Sequence, residues 1–354
     1  MSSIGASSFW RARRVLVTGN TGFKGTWLCT LLLRAGARVA AFALPPETSP
    51  SVWDATGIAR DVDARSVDVR DADATATALM RSRPQSVFHL AAQPIVRRGY
   101  AEPVETYATN LMGTVHVLDA IRRAGTVEDA VIVTSDKVYA DRPHAGGYVE
   151  DDRLGGADPY AGSKAAAELV VETYRRAYFA SADATRVATA RAGNVIGGGD
   201  FAPDRLIADA YRAFVAGTPL VLRRPDAVRP WQHVLEPLHG YLTLARALAE
   251  RRAPSPAYNF GPDDTATVDA VARRFLRGVG RDPDAGVRVE PAPQHETTLL
   301  QVDGTRARAE LGWRPRWSTM RAVDTAAAWY RDFAAGESAA RLVARDIDAY
   351  GADD

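Results

Sequence analysis

Tyr160 and Lys164, in Tyr160-Ala-Gly-Ser-Lys164, put a phenol and an ammonium on one face of a helix, because positions four apart are neighbours there. Both free groups titrate near pH ~10. A nearby cation favours the phenolate and draws the tyrosine towards the working pH. Such a phenolate can take the proton of an alcohol while a hydride leaves the same carbon. Tyr-x-x-x-Lys pairs are common on helices, so this one needs company. It has company in Thr134-Ser-Asp-Lys-Val-Tyr139, which closes the short apolar run Ala130-Val-Ile-Val-Thr134. Carboxyl ends of parallel strands are where α/β sheets bind ligands. Ser135 at that end can hydrogen-bond the reacting oxygen and hold it against Tyr160.

A hydride needs an acceptor, and Thr18-Gly-Asn-Thr-Gly-Phe-Lys-Gly25 offers a place for one. Gly19, Gly22 and Gly25 stand between a strand and a helix. The backbone can then turn tightly and approach a pyrophosphate, whose charge meets the helix N-terminus. The spacing Gly-x-x-Gly-x-x-Gly is one residue longer than that of ordinary dehydrogenases. An acid about 20 residues on should meet the adenosine ribose, yet the second strand ends Ala43-Leu-Pro-Pro46, with Glu47 the nearest carboxylate. No arginine is there to hold a 2′-phosphate, which favours NAD over NADP. Asp68 either holds the adenine edge or caps the helix that follows.

The elements that must position these groups alternate. Arg14 to Thr18, Arg38 to Leu44, Ser86 to Leu90, Ala130 to Thr134 and Arg186 to Arg191 read as buried strands. Trp27 to Ala35, Val104 to Ala124 and Tyr160 to Phe179 read as helices between them. The fold class is α/β: a Rossmann-type doubly wound parallel sheet with a smaller C-terminal α/β substrate domain. Residues 10–195 form the dinucleotide-binding domain, with later returns of the chain, and 196–335 mainly the substrate-binding domain. That second part contains a helix over Val234 to Glu250 and short strands near Leu220 and Tyr258. Residues 336–354 end a helical, charged tail that starts near Ala326.

Bulk properties exclude several classes. With 46% apolar residues in 354, a full core is available. A net charge of +1 lacks the clustered basic excess of a nucleic-acid binder. No apolar stretch reaches the ~18 residues of a membrane span, and Met1 to Trp10 lacks a signal-peptide pattern; a cytoplasmic enzyme is expected. Cys29, the single cysteine, reads as a small buried apolar residue. No His, Cys and carboxylate cluster has metal-ligand spacing, so no metal is expected.

Together the glycine motif, Leu90-Ala-Ala-Gln93, Asn110, Ser135 and the Tyr160/Lys164 pair resemble the extended short-chain dehydrogenase/reductase family. Longer stretches resemble its CDP-glucose 4,6-dehydratase branch: His89-Leu-Ala-Ala-Gln-Pro94, Thr134-Ser-Asp-Lys137, Arg191-Ala-Gly-Asn-Val-Ile-Gly-Gly-Gly-Asp200 and Arg229-Pro-Trp-Gln-His-Val234. The likeness runs from about Trp10 to Trp329. It implies NAD held by Gly19, Gly22, Phe23, Gly25, Asp68, Val69, Leu90, Ala91, Ala92, Tyr160 and Lys164. It implies oxidation at C4 of a hexose, loss of water across C5–C6, and return of the hydride to C6. Asp136 is the candidate acid for the departing hydroxyl and Lys137 the candidate base at C5. A turn aspartate and a solvated lysine are the plain alternative. Gln93, Asn194, Arg205, Arg229, His233 and Glu296 are candidates for holding the nucleotide sugar; arginine suits a diphosphate because its planar fork bonds two oxygens. Relatives imply a homodimer or homotetramer. A 4-epimerase, a dehydratase for another nucleotide sugar and a non-catalytic NAD sensor remain the other readings. Asn20, Val138, Phe201 and the 141–147 tip depart from the branch's usual residues.

Overall fold

The computed structural model describes residues 8–141, 146–290 and 300–352. Six strands, β1 (Arg14–Thr18), β2 (Arg38–Ala43), β3 (Asp63–Ser66), β4 (Ser86–His89), β5 (Asp129–Val133) and β6 (Arg186–Arg191), join a seventh, Ala257–Asn259, in one sheet. Its order is β3-β2-β1-β4-β5-β6 and then Ala257–Asn259, with every neighbouring pair parallel. The strand order reverses beside β1, and such a reversal opens a crevice at the carboxyl ends. Thr18 lies there in register with Phe42 of β2 and His89 of β4.

Both faces of the central sheet are covered, so β1, β4 and β5 are buried along almost their whole length rather than alternating, whereas the edge strand β3 is polar and exposed. Val15, Val17, Phe88, Val131 and Val133 share one core with Trp27, Leu28 and Leu31. Leu16, Val87, Ala130 and Ile132 share the other with Leu79, Leu118 and Val171.

Helix α1 (Phe23–Arg34) starts inside the glycine motif, four residues before Trp27, and Gly36 at φ +81° follows its end. The expected run from Val104 to Ala124 is helical but not uniform. Pro103–Tyr107 passes into a widened i→i+5 turn over Ala108–Met112, then into Gly113–Ala124. Such bulges gather at functional sites, and here Asn110 on the bulge bonds both Gln93 and Ser163. The helix Pro159–Ala177 is fixed at its start by Asp158, which accepts from Ala161 N at 2.9 Å, with Pro159 in the first turn.

After Gly197 a second core gathers Phe201, Ile207, Leu220, Leu222, Trp231, Phe275, Trp329 and Tyr330. Two elements of this stretch return to the sheet. The helix Leu235–Ala249 packs on β5 and β6, and the strand around Tyr258 extends the large sheet beside β6 instead of lying in the substrate lobe. The charged tail is two helices, Thr319–Ala334 and Ala339–Gly351, with Gly336 at φ +92° between them. Both are docked: Trp329 and Tyr330 are fully buried, and Tyr350 donates to Glu236 Oε2 at 2.8 Å. Among the described residues no helix is long and apolar enough to cross a membrane.

Candidate active site

A cleft of about 1160 Å³ runs along the carboxyl ends of β1, β2, β4 and β5 and under the second lobe. Gly19, Gly22, Phe23, Gly25, Asp68, Val69, Leu90, Ala91 and Ala92 line it at one end. Gly19 has φ +75°, and a Cβ there would fall 2.6 Å from Ala91 N; one on Gly25 would fall 2.1 Å from Gly19 O. The turn therefore closes only with bare glycines. Gly22 caps α1 with no side-chain bond, and the first turn carries no acid. Those free N–H groups and the helix dipole suit a pyrophosphate, so the residues present fit a dinucleotide.

Beside the glycine turn three carboxylates, Glu47, Asp68 and Glu105, line the cleft, and all are paired with Arg70 or Arg98. Asp68 does not cap a helix: Asp71 does that, accepting from Ala74 N at 2.9 Å. Asp68 instead bonds Arg70, Oδ2 to Nη2 at 2.6 Å, which holds its carboxyl below the usual range. Glu47, beyond the double proline, lines the cleft and accepts from Arg98 Nη1 at 2.8 Å.

Beneath the glycine turn lies a buried relay. Thr18 Oγ1 accepts from the backbone N–H of Leu90 (3.2 Å) and of Ala91 (3.1 Å). Its own proton then goes to His89 Nδ1 at 2.7 Å, which leaves Nε2–H to meet Thr114 Oγ1 at 3.2 Å. Burial, then the charge of Lys164, pushes His89 down to about 3, so the imidazole is neutral.

The strand end after β5 and the helix Pro159–Ala177 bring the chemistry together. Ser135, Asp136, Lys137, Tyr160 and Lys164 all line the same cleft. Ser135 donates to Asp136 Oδ1 at 2.9 Å and stands beside the Tyr160 phenol, which it pulls down. Asp136 Oδ2 is buried with no partner among the described residues, packed against Gly193. An orphaned buried oxygen costs free energy, which a substrate hydroxyl or a proton relieves. Lys137 is half-buried and its backbone N–H bonds Ser135 Oγ at 3.2 Å.

Burial raises the Tyr160 phenol, while Ser135 and the Arg205 guanidinium pull it down. The Lys164 ammonium lies on the Val133 carbonyl, Nζ to O 3.2 Å. Burial, with help from Lys24, pushes it down to about 7.

Of the expected substrate residues, Asn194, Arg205 and Arg229 line the cleft. Asn194 is held at φ +47° with Nδ2 unpartnered among the described residues, and Arg205 donates to Pro94 O at 3.3 Å. Gln93 lines the cleft but is committed to structure, bonding Thr106 Oγ1 and Ile95 N at 2.8 and 2.6 Å. His233 is a correction. It is fully buried behind the wall, its ring 5.8 Å from Trp27 and 4.9 Å from Trp317, and burial pushes it down to about 3. The chain passes from cleft to core between Trp231 and His233. Glu296 lies outside the described residues.

Several charged cleft residues escaped the sequence reading, among them Lys24, Arg97, Asp200 and Arg223. Lys24 is half-buried near Asp136, Asp200 and Arg205 and is pushed down to about 8, chiefly by desolvation. Asp204 joins two of the others, 3.2 Å from Arg97 Nη1 and 3.1 Å from Arg223 Nη2. One signal for Lys24 was available. The chain has only three lysines, Lys24, Lys137 and Lys164, and all three line this cleft.

The family model for GDP-mannose 4,6 dehydratase matches residues 16–325. The chain belongs to the NAD-dependent epimerase/dehydratase family. This epimerase/dehydratase is 40% identical over 350 residues to the CDP-glucose 4,6-dehydratase of Salmonella typhimurium, covering 97% of each chain. It is 29% identical to the dTDP-glucose 4,6-dehydratase of Streptomyces griseus over 89% of its own length and 93% of that protein. Among solved structures, dTDP-glucose 4,6-dehydratase from Streptomyces venezuelae with NAD bound superposes at a TM-score of 0.76 and 28% identity, covering 90% of this chain and 97% of that one. The UDP-glucose 4-epimerase of Thermotoga maritima shares the fold at a TM-score of 0.80 and 21% identity, covering 90% and 99%.

Proposed function

We propose that this chain is a CDP-glucose 4,6-dehydratase, making CDP-4-keto-6-deoxyglucose and water. The observation that carries the reading is Asp136-Lys137 seated in the same cleft as Tyr160 and Ser135. An epimerase needs only the tyrosine, the lysine four residues on and the cofactor. An adjoining acid and amine are needed when a C5 proton and a C6 hydroxyl must also leave. The 40% identity to a CDP-glucose enzyme supports the choice of nucleotide.

NAD, which fits the glycine cradle, supplies the hydride acceptor and donor when bound. Tyr160 takes the C4 hydroxyl proton, with Ser135 holding that oxygen. The resulting ketone acidifies the C5 hydrogen, which Lys137 removes. Asp136 protonates the departing C6 hydroxyl, and C6 then regains the hydride taken from C4 while Lys137 returns a proton to C5. Arg205 and Arg229 hold the diphosphate and Asn194 the sugar. We further infer a homodimer or homotetramer, because Val104, Met112 and Leu169 stand exposed on the helical segments Pro103–Tyr107 to Gly113–Ala124 and on Pro159–Ala177. Substrate and cofactor are soluble nucleotides, which fits a cytoplasmic enzyme.

The test is incubation with CDP-, dTDP-, UDP- and GDP-glucose in turn. A 4-keto-6-deoxy product from CDP-glucose is expected. Conversion of another nucleotide sugar in its place overturns the choice of base, and a 4-epimer overturns the reaction.

A further inference from the structure

The strand end that carries Asp136-Lys137 and the helix that carries Tyr160 and Lys164 are tied to one buried ion pair. Glu168 lies one helical turn beyond Lys164, and Arg191 closes β6; their side chains are each 4% exposed. The contact is bidentate, Arg191 Nε to Oε1 at 2.9 Å and Nη2 to Oε2 at 2.8 Å. Both carboxylate oxygens are used again. Thr134 Oγ1 donates to Oε1 at 2.5 Å and Thr189 Oγ1 to Oε2 at 2.7 Å. The remaining guanidinium nitrogen, Nη1, reaches the Tyr139 hydroxyl and Glu150 O, both at 2.9 Å. Tyr139 passes the chain on to Asn259 Oδ1 at 2.6 Å, and Asn259 Nδ2 to Tyr148 O at 2.9 Å.

The placement of these partners is what matters. Thr134 immediately precedes Ser135, and Tyr139 follows Lys137 by two, so the acid–amine segment is pinned on both sides. Lys164 bonds the carbonyl of Val133, the residue before Thr134. An isolated buried ion pair contributes little to stability against its desolvation, and removing one partner is costly. A saturated network at this position is better explained by the geometry it imposes.

We propose that Glu168, braced by Arg191, is a positioning residue that sets the register between the two halves of the active centre and faces Lys164 from one helical turn away. It acts through Thr134 on the Ser135-Asp136-Lys137 turn and through its charge on Lys164. The groups facing Lys164 are Lys24 from α1, neutral His89 from β4 and Glu168 from its own helix. Glu168 is the only one of these three that favours the ammonium. Removing its charge lowers Lys164 further, so the ammonium is lost at lower pH.

The choice of substrate for the test rests on the dehydratase reading, but the lysine readout does not. Three lysines make a ¹⁵N-lysine titration of the apo protein readable, with Lys164 assigned by its arginine variant. Glu168→Gln is expected to move the Lys164 midpoint down by about one pH unit. In turnover of CDP-glucose it should lower kcat about ten-fold with KM within about two-fold, and shift the alkaline limb of kcat to lower pH. Thr134→Val, which leaves the ion pair intact, should lower kcat with little change in thermal midpoint, and Thr134→Ser should restore it. An unchanged Lys164 midpoint in folded Glu168→Gln overturns the proposal. So does wild-type turnover by Thr134→Val, which decides the matter if Glu168→Gln does not fold. If the wild-type protein leaves CDP-glucose untouched, the dehydratase reading fails, and the titration still decides the role of Glu168.

Discussion

Gly193 lies so close to Asp136 that a Cβ on it would fall 1.6 Å from Asp136 Oδ2. The carboxylate of the acid–amine couple is thus seated on bare backbone, in the Arg191-Ala-Gly-Asn194 turn that also carries Asn194. Gly193→Ala must expel that carboxylate. The expected outcome is a folded protein with kcat for product formation down by about 100-fold, checked by steady-state rates beside a thermal melt.

Asp136 and Lys137 serve elimination, whereas Tyr160 serves oxidation. Asp136→Asn and Lys137→Met should therefore still reduce NAD in a single turnover with CDP-glucose while releasing no 4-keto-6-deoxy product. Tyr160→Phe should lose both. Nicotinamide fluorescence and product analysis on the same samples separate the steps.

The pH dependence follows from burial. Lys164 and Lys24 are held down to about 7 and about 8 from an ordinary value of 10.5. A lysine lowered in the fold is charged below its folded pKa and neutral above it. Oxidation that uses the Lys164 ammonium makes kcat/KM, which reports the free enzyme, fall as pH rises through about 7. Lys164→Met should abolish that limb along with most of the rate.

Asp204 occupies Arg97 and Arg223 at the cleft. A diphosphate drawn to those guanidinium groups must compete with it. Asp204→Asn should tighten binding of CDP, and Arg223→Gln weaken it. These pairs are partly exposed, so each change is expected to be a few-fold, within about 1 kcal/mol. Calorimetry with CDP alone checks it.

The strands and the glycine turn were legible because each is local. Val15, Leu16 and Val17 are apolar because both faces of β1 are covered, and Gly19 is glycine because Ala91 leaves no room for a Cβ. The Tyr160/Lys164 pair was legible as helical spacing, but the seat of the Lys164 ammonium was not. That depends on Val133 O, 31 residues away in the chain, accepting the ammonium. His233 was misread because nothing local shows a chain turning from cleft to core within two residues. Lys24, Asp200, Arg97 and Arg223 meet only when four separated segments fold together, so spacing could not find them. The rarity of lysine could have marked Lys24.

The most direct measurement follows the hydride itself. CDP-glucose carrying deuterium at C4 is converted and the product examined by NMR and mass. Deuterium recovered at C6 of a 4-keto-6-deoxy sugar is the expected result. Deuterium retained at C4 of an epimer, or a product that keeps its C6 hydroxyl, would contradict the proposed reaction.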